Sequence, residues 1–185
     1  LPMSGTGSAA MEATLANTVE PGDRVLVAVK GYFGNRLADM AGRYRADVRV
    51  IEKPWGEAFT LDELAAALEH HKPVILAMVH AETSTGVCQP MDGVGDLCRQ
   101  HDCLLLLDTV TSLGGVPLYL DEWKVDMAYS CSQKGLSCPP GLGPFTMGTR
   151  AEAKLAARKD KVPNWYLDVS LLNQYWGSDR VYHHT

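Results

Sequence analysis

The chain has 185 residues, 46% of them hydrophobic and 21% charged, with a formal net charge of −5. That is enough for one domain with a sizeable core, and without a basic block or stripe the composition argues against a nucleic-acid backbone as partner. No apolar run approaches the roughly 20 residues that span a bilayer, and the five cysteines (Cys88, Cys98, Cys103, Cys131, Cys138) are odd in number and lack a C-x-x-C pair, which suits an intracellular, reducing compartment.

Leu1-Pro-Met-Ser-Gly carries neither a signal nor a transit pattern and no initiator methionine, so the chain is expected to begin inside a larger protein. Ser4-Gly-Thr-Gly-Ser8 precedes a helix expected from Ala9 to Val19, with Met11, Leu15 and Val19 on its apolar face and Ser8 as N-cap. A glycine loop at a helix N-terminus presents backbone N–H groups and the positive end of the dipole, an anion site most often used for phosphate; the same residues also make a plain turn. Arg24–Val29 reads as a buried strand, Lys30-Gly-Tyr-Phe-Gly34 as the loop after it, Asn35–Arg45 as a helix and Val48–Ile51 as a short strand. Thr60-Leu-Asp-Glu63 is a capping box for a helix running to about His70. Then come a strand at Pro73–Val79, a polar loop at His80–Gly86, a helix at Val94–His101, and the apolar strand Leu104–Leu107 that stops at Asp108. Met127–Cys131 and Phe145–Met147 follow as strands and Ala151–Arg158 as a helix.

Apolar strands alternating with helices predict a three-layer α/β fold, a mainly parallel sheet with helices on both faces. Residues 1–160 form its large domain. The segment from 161 to 185, with Trp165, Tyr166, Tyr175, Trp176 and Tyr182, reads as packing on something else, such as a neighbouring subunit. The adjacent pairs His70-His71 and His183-His184 diverge on any helix or strand, which disfavours a metal site.

In open α/β sheets ligands sit outside the carboxyl ends of the strands. Phe33, Thr83, Asp108 and Lys134 each follow a predicted strand, so all four are expected to face one crevice. Lys134 is either a solvated surface charge or, held against a packed element, a desolvated amine able to attack carbonyls. Asp108, at the end of four leucines, needs a cation or donor: as a turn acid it would take Ser112 or the Gly114–Gly115 amides, and as a functional group it would face a protonated ring nitrogen. Phe33 is a core aromatic or a stacking face, and Thr83 a turn residue or a ligand contact. Lysine, acid, stacking ring and phosphate loop together describe pyridoxal 5′-phosphate.

The chain resembles the cofactor-binding large domain of the alanine–glyoxylate (serine–pyruvate) aminotransferases, fold-type I enzymes of class V. The resemblance rests on Ser4-Gly-Thr-Gly-Ser8, Lys30-Gly-Tyr-Phe-Gly-Asn-Arg36, His80-Ala-Glu-Thr-Ser-Thr-Gly-Val87, Leu104-Leu-Leu-Leu-Asp-Thr-Val-Thr-Ser-Leu-Gly-Gly115, Tyr129-Ser-Cys-Ser-Gln-Lys134, Trp176-Gly177 and Tyr182-His-His-Thr185. It implies that Lys134 is the Schiff-base lysine, Asp108 the pyridine-nitrogen partner, Thr83 a hydrogen-bonding residue near the ring hydroxyl and Val110 a packing contact on the ring. It further implies that Thr6, Gly7, Ser8 and Gln133 hold the phosphate, and that Tyr182 and Thr185 reach the phosphate of the other subunit of a homodimer with shared sites. Phe33 stands where the family commonly has tryptophan, and Ser8 where some relatives have histidine. The N-terminal arm and the small domain, with its carboxylate-binding arginine, are absent from this stretch, which leaves a non-catalytic fragment as an alternative.

The implied reaction is transamination from alanine or serine to glyoxylate or another small 2-keto acid; relatives acting on hydroxykynurenine, ureidoglycine or phosphonate amines share the motifs. A peroxisomal or mitochondrial location follows from the resemblance alone. A dinucleotide-dependent oxidoreductase competes through Gly5-Thr-Gly7-Ser-Ala-Ala10, a G-x-G-x-x-A match. It lacks a predicted strand before the loop, has Lys30 where an acid would hold the ribose, and gives Lys134 no task.

Overall fold

The computed structural model describes residues 1–177; Tyr182 and Thr185 lie outside the described residues. In chain order the elements are β1 (Pro2–Gly5), α1 (Gly7–Thr18), β2 (Arg24–Val29), α2 (Tyr32–Arg43), β3 (Asp47–Glu52), α3 (Leu61–His71) and β4 (Ile75–Val79). A two-stranded hairpin of β5 (Ala81–Glu82) and β6 (Val87–Cys88) follows, then α4 (Val94–Gln100), β7 (Leu104–Asp108), β8 (Met127–Tyr129), β9 (Gly141–Met147), α5 (Thr149–Ala156) and α6 (Val169–Trp176). The main sheet has seven strands in the order β1-β9-β8-β7-β4-β2-β3. From β3 through β8 neighbours run parallel, whereas β9 is antiparallel to both β8 and β1.

Alternation along the central strands separates two cores. Val25, Val27, Val29, Ile75, Ala77, Leu106 and Tyr129 face α1 and α2. Leu26, Ala28, Leu76, Met78, Leu105 and Leu107 face the opposite way, with Leu64 and Leu68 of α3 and Val94 of α4. These are the helical layers expected of the α/β class. Helix α1 is buried along nearly its whole length, as expected for a helix between a sheet and other elements. Its Asn17 side chain donates to Leu167 O at 2.7 Å and accepts from Val169 N at 2.9 Å. That tie brings Leu167, Val169 and Leu172 of the expected tail into the core, while Trp165, Tyr175 and Trp176 point outward.

Several boundaries differ from the sequence reading, each for a tertiary reason. A strand does precede the glycine loop: Pro2–Gly5 pairs with Gly141–Pro144, which extends β9 well beyond Phe145–Met147. Helix α1 starts at Gly7 with Thr6 as N-cap, so Ser8 is a helical residue; the Thr6 carbonyl takes the amides of Ala9 and Ala10. Helix α2 starts three residues before Asn35 because its cap comes from elsewhere. Glu82 accepts from the amides of Phe33 (3.3 Å) and Gly34 (3.2 Å), and Ser84 Oγ accepts from Tyr32 N at 2.9 Å. The Thr60–Glu63 capping box forms as expected, with both reciprocal hydrogen bonds present. Among the described residues no helix is long and apolar enough to cross a membrane.

Candidate active site

At the carboxyl ends of the parallel strands lies a cavity of about 250 Å³. Its lining includes Thr6, Gly7, Ser8, Phe33, Asp108, Val110, Gln133 and Lys134, eight of the residues singled out in the sequence, together with Met11, Arg36 and Cys131. Among the described candidates the exception is Thr83, which is exposed in the turn between β5 and β6 and does not line the cavity.

Each side of the cavity has a local origin. Strand β1 ends at Gly5, whose φ of 136° belongs to the region glycine favours. The turn delivers Gly7 against the segments that follow β7 and β8: a Cβ on Gly7 would lie 3.1 Å from Val110 Cγ2 and 3.2 Å from Cys131 Cβ. Thr6 makes no side-chain cap bond, which leaves the first amides of α1 available to a bound group. Arg36, one turn beyond Phe33 on α2, places its guanidinium 4.8 Å from the Phe33 ring centroid and donates to Ser8 Oγ at 3.3 Å. The loop after β8 is pinned by Ser132, whose amide donates to Leu142 O and whose hydroxyl donates to Pro139 O. Lys134 follows and is exposed.

Asp108 is only 3% exposed. Its donors are the Val110 amide and the Tyr129 hydroxyl, both at 2.8 Å, and not Ser112 or the Gly114–Gly115 amides; among the described residues the buried Ser112 hydroxyl has no hydrogen-bond partner. Burial pushes the Asp108 carboxyl up to about 6, against the Val110 and Tyr129 hydrogen bonds that favour the anion. It is therefore a carboxylate short of counter-charge. The desolvated lysine of this region is Lys30 and not Lys134: Lys30 is 1% exposed and donates to Val79 O at 2.7 Å. Burial lowers its pKa to about 8, with Glu82, Cys88 and Asp108 acting the other way.

Lys30, Arg36, Glu82 and Tyr129 were not recognised from the sequence as belonging to this region. Arg36 had a signal, since residues three apart on a helix share a face and Phe33 was already a candidate. Tyr129 had a weaker one, as the end of the strand leading to Lys134.

The sheet order, the single antiparallel strand β9 and the crevice at the strand ends make this the fold-type I architecture of pyridoxal-phosphate enzymes. The class-V aminotransferase family model matches residues 3–160. The chain is 46% identical over 188 residues to the alanine–glyoxylate aminotransferase of Oryctolagus cuniculus, an alignment covering 100% of this chain and 48% of the rabbit protein. The crystal structure of an alanine–glyoxylate aminotransferase from Nostoc sp. superposes with a TM-score of 0.99 at 70% identity, over 100% of this chain and 49% of the other. That of ureidoglycine–glyoxylate aminotransferase from Bacillus subtilis gives 0.97 at 41% identity, over 100% and 48%. The chain belongs to the class-V aminotransferases and spans about half the length of these relatives.

Proposed function

We propose that this chain is the cofactor-binding part of an aminotransferase that moves an amino group from alanine or serine to glyoxylate or another small 2-keto acid, with pyridoxal 5′-phosphate as cofactor. The observation that carries this reading is the convergence of Lys134, Asp108 and the open N-terminus of α1 on one cavity. The cavity fits the cofactor in three respects. Its helix end has amide donors to spare for a phosphate, with the Arg36 cation beside them. Among the described residues the buried Gln133 Oε1 has no partner, and turning that amide over presents a donor in the same place. The under-compensated Asp108 suits a cationic ring nitrogen.

When bound, the cofactor supplies the carbonyl that exchanges amines and the electron sink that acidifies the substrate α-carbon. Lys134 would be the nucleophile that anchors it and the amine that takes and returns a proton at the substrate α-carbon. Asp108 would hold positive charge on the ring nitrogen, its carboxylate oriented by the Tyr129 hydroxyl. Phe33 and Val110 would pack on the ring, and Thr6, Gly7, Ser8 and Gln133 would hold the phosphate. Thr83, for which the resemblance implies a contact at the ring hydroxyl, does not line the cavity.

Residues 1–160 constitute the large domain in this reading. In this reading the segment after residue 160 reaches the subunit interface of a homodimer, which the outward-facing Tyr175 and Trp176 support; Tyr182 and Thr185, for which the resemblance implies a contact with the other subunit's phosphate, lie outside the described residues. Free cysteines at all five positions fit a reducing compartment. A ureidoglycine donor is the second reading, favoured by the likeness to the Bacillus subtilis enzyme.

The test is titration with pyridoxal 5′-phosphate followed by borohydride reduction and peptide mass spectrometry. Saturable binding with the label on Lys134, lost in Lys134→Ala, is expected; label retained in that variant, or no saturable binding, would overturn the reading. Assay of the whole protein with alanine, serine and ureidoglycine against glyoxylate then identifies the donor.

A further inference from the structure

Arg36 reaches the cavity from α2, and nothing in the described chain neutralises it. Its guanidinium carbon lies over two rings, 4.8 Å from the Phe33 centroid and 5.3 Å from that of Tyr32. The rings themselves meet edge to face with centroids 5.5 Å apart. From this aromatic corner Nη1 donates to Ser8 Oγ at 3.3 Å, across to the first turn of α1. Among the described residues no carboxylate lies within 4 Å of it, unlike Arg24, Arg43, Arg49, Arg99 and Arg150. The acids one turn away on the same two helices are engaged elsewhere. Asp39 accepts from Arg43 Nε at 2.9 Å, and Glu12 from the Tyr44 hydroxyl at 2.9 Å. A guanidinium carries five N–H donors in one plane, and a single neutral hydroxyl takes only one of them. Arg36 is therefore a half-buried cation with donors to spare, on a cavity wall whose other charged groups are Asp108 and Lys134.

We propose that Arg36 is a binding residue for the cofactor's phosphate ester, and the one that makes this cavity select phosphorylated over unphosphorylated pyridoxal. The open first amides of α1 and the guanidinium meet at Ser8. A dianion held there gains backbone donors carrying partial charge and, from Arg36, a full counter-charge with charge-assisted hydrogen bonds. The start of α2 offers no rival anion site: Ser84 Oγ and the Glu82 carboxylate already take the amides of Tyr32, Phe33 and Gly34. Helix α2 thus contributes this one side chain and not its end. The aromatic corner also confines the guanidinium before any ligand arrives, which lowers the ordering cost of binding. Phe33 and the phosphate cup are then coupled through a single residue that touches both. That the anion is the ester of pyridoxal rests on the function proposed above; that Arg36 and Ser8 bind an anion does not.

The experiment compares the affinities of pyridoxal 5′-phosphate and pyridoxal, by absorbance titration, in the unmodified chain and in Arg36→Met. The phosphorylated form should bind the variant about tenfold more weakly or worse. Pyridoxal should lose no more than about threefold, the effect of a loosened Phe33 ring. Inorganic phosphate should compete with pyridoxal 5′-phosphate in the unmodified chain and much less in the variant. Equal losses for the two aldehydes, or unchanged affinities in folded Arg36→Met, overturn the proposal. Should the variant not fold, the unmodified chain decides through the arginine reagent phenylglyoxal, read by peptide mass spectrometry. Inorganic phosphate should protect Arg36 and leave the exposed Arg49 reactive; modification of Arg36 at an undiminished rate overturns the proposal. The two readings fail separately. A chain that forms no reducible adduct at Lys134 refutes the function proposed above and leaves the phosphate protection of Arg36 as it is.

Discussion

The Tyr129 hydroxyl donates to Asp108 Oδ2 at 2.8 Å, and the two residues are paired in register across the parallel strands β7 and β8. The tyrosine is 1% exposed, and its ionisation is pushed far upward by burial and by the neighbouring carboxylate, so it acts as a fixed neutral donor. Tyr129→Phe should leave one carboxylate oxygen buried without its donor. Stability should fall by about 1–3 kcal/mol in urea unfolding at neutral pH, and the Asp108 midpoint should rise further above 6.

Acid should stabilise the cofactor-free protein through Asp108. Its carboxyl rises from the usual 3.8 to about 6 on folding, so the folded state binds more protons between those values. Stability from this group is complete below about pH 4 and is lost as pH rises through 6, by about 3 kcal/mol in all. Asp108→Asn should flatten that segment of the stability–pH curve, as read from denaturant midpoints at half-unit intervals of pH.

An opposite limb belongs to Lys30, whose pKa falls from 10.5 to about 8 on folding. Between those values the unfolded state binds more protons, so stability should climb with pH, by about 3 kcal/mol at most. Lys30→Met should remove the climb in the same unfolding series.

Glu82 caps a helix fifty residues away from it in the chain. Glu82→Ala should strand the amides of Phe33 and Gly34 and cost about 1–2 kcal/mol. Because Phe33 sits on that first turn, the affinity for pyridoxal 5′-phosphate should fall as well, measurable by absorbance titration; Glu82→Gln should retain more of both.

These relationships show where sequence reasoning reaches and where it stops. Strand β7 was legible because four leucines ending on an acid read as a buried strand that stops at a polar edge, β2 because an apolar run of five follows Arg24, and β4 because it is apolar throughout. The α3 cap was legible because both halves of the box lie within four residues. Strand β1 was not: it has four residues, and only pairing with a segment nearly 140 positions later makes it a strand. The early start of α2 was hidden for the same reason, its acceptors being Glu82 and Ser84. In the site, Asp108 and Lys134 announced themselves by following strands. Lys30 follows a strand equally well, but which lysine is desolvated depends on what packs over it. Thr83 follows the same positional rule and nevertheless lies outside the cavity, because a hairpin turns it toward solvent.

The pairing of β1 with β9 joins residues 2–5 to 141–144, and contacts so distant along the chain carry a high closure entropy and slow folding. A cofactor seated at the N-terminus of α1, against Val110 and Cys131, would act as a clasp, fastening the first residues to the sheet with a strength that grows with its concentration.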